Sequence, residues 1–124
     1  VAAERRWPGN AGPSVATAVR TARDDLGSLP GIRAADVAER WFPDRPLTIV
    51  PLALAIATTL RSAEQAVLLA ANIGGDSDSV ASIAGGILGA MYPDTVNQGC
   101  YEAIERINGH GLGSIARALA VLRH

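Results

Sequence analysis

The sequence contains no lysine and a single cysteine, and few of its residues are aromatic. All eleven basic residues are arginine, which excludes chemistry that needs a side-chain amine. Cys100 has no partner for an internal disulfide, and one cysteine is typical of a reducing compartment. No apolar run reaches the roughly 18 residues of a membrane-spanning helix, and no secretory signal is present. We therefore expect a cytoplasmic chain without a membrane partner.

The charge is nearly balanced, and the residues available for a core are small. The net charge is −1 and the pI about 6.1, so the strongly basic surface of a nucleic-acid-binding protein is missing. Apolar residues make up 48 % of the 124 residues, and 23 residues are alanine. We expect a core in which helices approach one another closely. The length allows one domain at most, and a chain that begins with Val1 is expected to be processed, trimmed or incomplete.

Capping residues and helical periodicity predict an all-α fold with short connections of Gly, Pro and Asp. Nowhere do four or more residues alternate clearly between apolar and polar, so no strand is expected. The predicted helices run from Ser14 to Gly27, from Asp36 through Phe42, from Thr48 to Leu60, over residues 63–73 and 78–91, from Val96 to Gly109, and from Ser114 onward.

Local signals define several of the predicted helix ends. Ser62 with Gln65 forms the clearest capping box in the chain, and Asp36 with Glu39 resembles another. Pro51 is placed in the first turn of its helix, where its missing N–H costs little.

The apolar pattern also predicts which surfaces are buried. The segment 63–73 is apolar almost all round, which predicts complete burial. Cys100 lies on an apolar face and is predicted to be a small core residue. In the last helix, Ile115, Leu119 and Leu122 are predicted to face inward.

The densest group of oxygen ligands is the run Gly-Gly-Asp-Ser-Asp-Ser, which starts at Gly74. Asp76 and Asp78, one residue apart, stand where a glycine turn meets the start of an apolar helix. Carboxylate and hydroxyl oxygens are the ligands that Mg²⁺ prefers. The free N–H groups of a helix start favour ionised Asp, whereas its dipole opposes a cation. A magnesium site here would therefore need further carboxylates from elsewhere.

Other interpretations of this run fit less well. An EF-hand loop that started at Asp76 would need oxygen ligands at Val80 and Ile87. The pattern D-x-D-x-[TV] of haloacid-dehalogenase-type phosphotransferases is matched, but it follows a buried strand, whereas the segment 63–73 is predicted to be helical. Simple capping of a helix remains open, although one cap needs only one Asp or Ser.

The run GGDSDSVASIAGGILGAMY resembles the C-terminal metal-binding signature of the ADP-ribosylglycohydrolase family, which includes the dinitrogenase-reductase-activating glycohydrolases. The preceding PLALAIATTLRSAEQAVLLAANI is similar to the two helices that lead into that signature. The resemblance is good over residues 48–92 and looser elsewhere. It implies an all-α, Mg²⁺-dependent enzyme with two metal ions, which hydrolyses the glycosidic bond between ADP-ribose and an acceptor.

By position, the resemblance implies that Asp76, Asp78 and Ser79 are metal ligands, with Ser79 replacing the usual Thr. Gly74 and Gly75 would let the backbone come close to the metals or the substrate. The substrate would be an ADP-ribose-containing small molecule or an ADP-ribosylated protein. The acceptor stays open between Arg, Ser, a nucleoside base and a small metabolite.

The N-terminal half of the family, with its glycine segment and the Asp pair that completes the metal site, has no counterpart in this sequence. Asp24 and Asp25 form a pair, but we interpret them as a solvated helix end. We expect residues 1–124 to be the C-terminal part of a single domain, completed by an N-terminal half or a separate chain. Alone it should be inactive, with the general acid or base outside it. The alternative is a noncatalytic family member that serves as a nucleotide-binding or structural module.

Overall fold

The computed structural model describes residues 14–123. Within this range the chain is helical and contains no strand, which confirms the predicted all-α class. None of these helices combines the length and the apolar character that crossing a bilayer requires. The α-helices are α1 (Val15–Ser28), α2 (Ala34–Arg40), α3 (Pro46–Thr59), α4 (Ala63–Ile73), α5 (Ser77–Met91), α6 (Gln98–Asn108) and α7 (Leu112–Val121), with a short 3₁₀ helix over Pro93–Thr95 between α5 and α6.

The helix α5 lies at the centre of the packed body. It packs against α3 and α4, while α1 covers α3 and α2 covers α4. Its buried residues Val80, Ala84 and Leu88 recur every fourth position and so form one face. A Cβ added at Gly85 would lie 2.7 Å from Cγ2 of Val67, which shows how closely α4 approaches α5. The expectation of a small-residue core is met, since buried alanines occur on α1, α3, α4 and α5.

Two predicted caps are present. The Ser14 hydroxyl accepts a hydrogen bond from the Thr17 N–H, and the Ser62 hydroxyl accepts one from the Gln65 N–H, each over 3.2 Å. The helix that follows Ser62 covers residues 63–73, as predicted. These short side-chain contacts depend on residues three apart, and this is why the sequence alone located them.

The predicted start and end of α2 were wrong. The helix begins at Ala34, and Asp36 lies in its first turn rather than before it. The Asp36 carboxylate accepts two hydrogen bonds from the Arg33 guanidinium, over 2.7 and 2.9 Å, instead of capping the helix. The helix ends at Arg40, so Phe42 lies in the connection to α3.

The helix α3 begins two residues earlier than predicted. Pro46, rather than Thr48, is its first residue, because the fixed φ of proline suits a first turn. Pro51 is consequently buried inside the helix, not in its first turn. The Thr48 hydroxyl accepts hydrogen bonds from the N–H groups of Asp44 and Arg45, each over 3.2 Å, and so closes the helix start.

The prediction that α4 is completely buried was also wrong, because one side of this helix is exposed. Val67 is 42 % exposed and Leu68 is 56 % exposed. Both side chains line an apolar groove of about 360 Å³ between α4 and α6. The apolar sequence therefore predicted that this helix belongs to the core, but it could not show whether every side of the helix is covered.

The last two helices add no residue to the buried core. Neither α6 nor α7 has a buried residue, and Cys100 is exposed instead of lying in the core. The last helix starts at Leu112 after Gly111, not at Ser114. Its apolar residues do not face inward within the described part of the chain; the exposed ones are Leu112, Ile115, Leu119, Val121 and Leu122. Periodicity showed that these residues share a face, but it could not show whether another element covers it.

Candidate metal site at the glycine hinge

Gly74 and Gly75 form a hinge between α4 and α5, and their backbone has a conformation that other residues rarely adopt. Their φ angles are +87° and +62°, in the region that favours glycine. A Cβ at Gly75 would also lie 2.6 Å from the Pro43 carbonyl oxygen and 3.1 Å from the Phe42 ring. The backbone angle and the close neighbour both require glycine at this position.

The connection between α2 and α3 holds this hinge in place. The Asp76 N–H donates a hydrogen bond of 2.8 Å to the Pro43 carbonyl oxygen. The Phe42 ring lies against both hinge glycines while remaining 47 % exposed. Sequence reasoning missed the role of Phe42 and Pro43, because the hinge and this connection are more than thirty residues apart. The only local signal was the stiffness that Pro43 gives to the connection.

The hinge places Asp76 and Asp78 together at the start of α5. Asp76 precedes the helix, but its carboxylate caps no backbone N–H. The Asp78 Oδ1 accepts a hydrogen bond of 3.0 Å from the Ser79 N–H. A protonated Asp76 side chain would donate to the Asp78 carboxylate, and this, followed by the bond from the Ser79 N–H, lowers the pKa of Asp78 below its ordinary value. Helix capping therefore accounts for part of the environment of Asp78 and for none of the Asp76 side chain.

The side chains at the hinge are of the type that binds a hard divalent cation, but they are too few to complete its coordination. Asp76 and Asp78 are exposed carboxylates, and Ser79 adds a half-buried hydroxyl. Among residues 14–123, no group of three or more His, Cys, Asp or Glu side chains could hold a metal ion. Any further His, Cys, Asp or Glu ligand of a metal bound here would come from outside the described part of the chain.

The phosphotransferase interpretation of the acidic run fails on structural grounds. Its D-x-D motif must follow a strand, whereas the segment before the hinge is the helix α4.

Asp24 and Asp25 have different environments. Asp24 is exposed, as a solvated helix end should be, but the Asp25 carboxylate accepts a hydrogen bond of 2.8 Å from the Trp41 indole N–H. Asp25 thus holds Trp41, which directly precedes Phe42, and so helps to fix the connection between α2 and α3 that supports the hinge. His110 is exposed in the α6–α7 loop.

Comparison with known proteins supplies the remaining finding. A family model described as ADP-ribosylglycohydrolase matches residues 2–124, which extends well beyond the residues that carry the acidic run. No curated protein and no solved structure matches the chain. Because the match spans nearly the whole sequence, and because the structure is all-α with the acidic pair at a glycine hinge, the chain belongs to the ADP-ribosylglycohydrolase family.

Proposed function

We propose that this chain supplies the second half of a Mg²⁺-dependent site that hydrolyses the glycosidic bond between ADP-ribose and its acceptor. The observation that carries the proposal is the placement of Asp76 and Asp78 at a hinge whose backbone is held by the Asp76 N–H to Pro43 hydrogen bond, with an Asp76 carboxylate that caps no helix N–H. Family membership supports glycosyl hydrolysis of ADP-ribosylated substrates in general.

In this proposal Asp76, Asp78 and Ser79 hold the metal. Magnesium bound there would polarise ribose hydroxyls and offset negative charge in the transition state. Asp78 suits this role because its pKa is not raised above the ordinary range of aspartate, so it is ionised at neutral pH, as a ligand must be. Because both carboxylates are exposed, a metal ion bound to them could also be bound by ligands from another polypeptide.

The surface beside the acidic pair suits the sugar or base of a substrate. Phe42 presents a half-exposed ring next to the hinge, and aromatic rings bind the apolar faces of sugars and bases. The absence of Cβ atoms at Gly74 and Gly75 lets the Phe42 ring, and at Gly75 the Pro43 carbonyl oxygen, lie against the hinge. A ring that served packing alone would be expected to be buried, whereas Phe42 is 47 % exposed.

The remaining metal ligands and the general acid or base are assigned to a complementary N-terminal half. The incomplete ligand set of residues 14–123 supports this assignment. The exposed apolar surface of α6 and α7 is a further support, because helices of one domain normally bury such faces.

The test is a titration of Mg²⁺ into the chain together with its complementary half, followed by an assay for ADP-ribose release from an ADP-ribosylated arginine peptide. Asp76→Asn and Asp78→Asn should each remove metal binding and activity. Asp94→Asn is the matched control, because Asp94 is an exposed carboxylate after the far end of α5. Unchanged Mg²⁺ affinity in both hinge variants would refute the proposal.

A second candidate function is a noncatalytic module that binds a nucleotide or a partner. The lack of a third His, Cys, Asp or Glu side chain beside Asp76 and Asp78 within residues 14–123 favours it. This candidate predicts ADP-ribose binding without hydrolysis when the complementary half is present, and equal affinity with and without Mg²⁺. Release of ADP-ribose in that assay would exclude it.

A further inference from the structure

The apolar groove of about 360 Å³ between α4 and α6 has a carboxylate at one end. This carboxylate belongs to Glu64 and accepts a hydrogen bond of 2.7 Å from the Asn97 side chain, so the starts of both helices lie at this end. None of the described residues that line the groove belongs to α7. The large aliphatic residues that line it are 42–56 % exposed and comprise Val67, Leu68, Val96 and Ile104.

The last helix, α7, carries an apolar stripe. Its members recur at positions i, i+3, i+7 and i+10 and therefore share one face of the helix. They are 42–78 % exposed and comprise Leu112, Ile115, Leu119 and Leu122. Two arginines accompany the stripe, with Arg123 beside it and Arg117 on the opposite side of the helix. Within residues 14–123 neither arginine forms an ion pair, so α7 presents an apolar face with positive charge at its end.

The stripe and the groove agree in length, in charge and in the direction of the helix dipoles. From Ile115 to Leu122 the stripe extends about 10 Å, and the first half of α6 offers a groove of about the same length. An α7 helix that ran antiparallel to α4 and α6 would bring Arg123 to the Glu64 carboxylate. It would also bring the negative end of its own dipole to the positive ends of α4 and α6.

We propose that two copies of the chain associate, each placing the apolar stripe of its α7 in the α4–α6 groove of the other. An amphipathic helix in an apolar groove is a recurring mode of recognition. Because each copy offers one groove and one stripe, a reciprocal arrangement with twofold symmetry covers both. The aliphatic side chains of stripe and groove together expose on the order of 800 Å² per copy, which is the area that each partner of a standard stable interface buries.

This association is independent of the function proposed above and leaves apolar surface for the complementary half. Ile107 of α6 is 80 % exposed and lies outside the groove. Val121 of α7 is 69 % exposed and lies on the side of the helix away from the stripe. Both residues therefore stay accessible to another polypeptide when α7 occupies the groove of a second copy.

Cys100, the single cysteine of the chain, lines the groove and allows a direct test. Ala116→Cys and Ala118→Cys each place a thiol at one edge of the stripe, and oxidised glutathione should link at least one of them to Cys100 of a second copy. The product is a disulfide-linked dimer on a non-reducing gel. Arg117→Cys is the matched control, because its thiol would lie on the opposite side of α7 and should give little dimer.

Three results of this experiment would overturn the proposal. The first is the lack of a linked dimer in both edge variants. The second is a linked dimer that persists after Cys100→Ser, which would show that two α7 helices pair with each other. The third is a disulfide within one chain, which would show that α7 enters the groove of its own copy.

Sedimentation equilibrium of the full chain tests the groove from its other side. Leu68→Glu should weaken dimerisation more than tenfold, because association would bury a charge. Glu64→Gln should weaken it about twofold to fivefold, as expected for an exposed ion pair. Ile107→Glu is the matched control outside the groove and should leave the dimer intact.

An equal loss in Leu68→Glu and Ile107→Glu would overturn the proposal, since it would indicate only a general effect of added charge. Dissociation of the dimer by the complementary half would also overturn it, because that half would then be the occupant of the groove. Asp76→Asn should leave the dimer intact, so a failure of the metal proposal can be distinguished from a failure of this one.

Discussion

Asp76 and Pro43, more than thirty residues apart, are joined by a hydrogen bond of 2.8 Å from the Asp76 N–H to the Pro43 carbonyl oxygen. This bond links the start of α5 to the connection between α2 and α3. Because Gly75 lies directly between α4 and this contact, its small size allows the two backbones to approach. The position of the acidic pair thus depends on a long-range backbone contact as much as on its own sequence.

We expect Gly75→Ala to destabilise the chain by about 1–3 kcal/mol, because its φ of +62° is strained for alanine. The new Cβ would also stand 2.6 Å from the Pro43 carbonyl oxygen and would push the hinge away. Urea denaturation measures the change. The same variant should lose Mg²⁺ affinity in the complemented site, and unchanged stability would contradict the assigned role of this glycine.

Substitution by alanine should affect stability differently at Gly85 and Gly86, the two adjacent glycines of α5. At Gly86 an added Cβ meets no described atom within 4 Å, so helix propensity should stabilise Gly86→Ala by about 0.5–1 kcal/mol. At Gly85 the Cβ would meet Cγ2 of Val67 at 2.7 Å, and the same gain should be cancelled or reversed. Thermal unfolding of the two variants compares them directly. Equal stabilisation would mean that α4 and α5 are less closely packed than described.

The Trp41 indole N–H donates to the Asp25 carboxylate in a partly buried setting. Trp41→Phe keeps an aromatic ring but removes this donor, and we expect a loss of about 1–2 kcal/mol in unfolding free energy. Asp25→Asn should cost less, because an amide oxygen can still accept the bond. Urea denaturation of both variants tests the order, and a larger loss in Asp25→Asn would contradict this account.

The sequence predicted features that depend on neighbouring residues and missed those that depend on distant ones. The Ser62 cap and the bounds of α4 were predicted because residues three apart determine them. The support of the hinge by Phe42 was missed because it requires knowledge of tertiary packing. The exposure of Cys100 was missed for a related reason, since an apolar pattern identifies a face but not its covering.

Asp36 should show an acid-range titration that depends on Arg33. The guanidinium hydrogen bonds lower the pKa of Asp36 below its ordinary value of 3.8. Because the folded-state pKa is depressed, the interaction stabilises the fold above that ordinary value, and the stabilisation is lost as the pH falls through the folded-state pKa. In Arg33→Gln the pKa of Asp36, followed by carboxyl NMR, should rise toward the ordinary value. An unchanged pKa would show that the pair is not formed in solution.

The exposed apolar residues of α6 and α7 should cause self-association of the isolated chain. Ile115 and Leu119 are 50 % and 61 % exposed, and α7 has no buried residue in the described part of the chain. Changing both to serine should shift sedimentation toward the monomer, since large exposed apolar surfaces drive association. The midpoint of thermal unfolding at low concentration should change little, because these side chains pack against no core. If the double variant instead unfolds at a much lower temperature, α7 packs against the rest of the chain, and its apolar residues serve the fold rather than a covering partner.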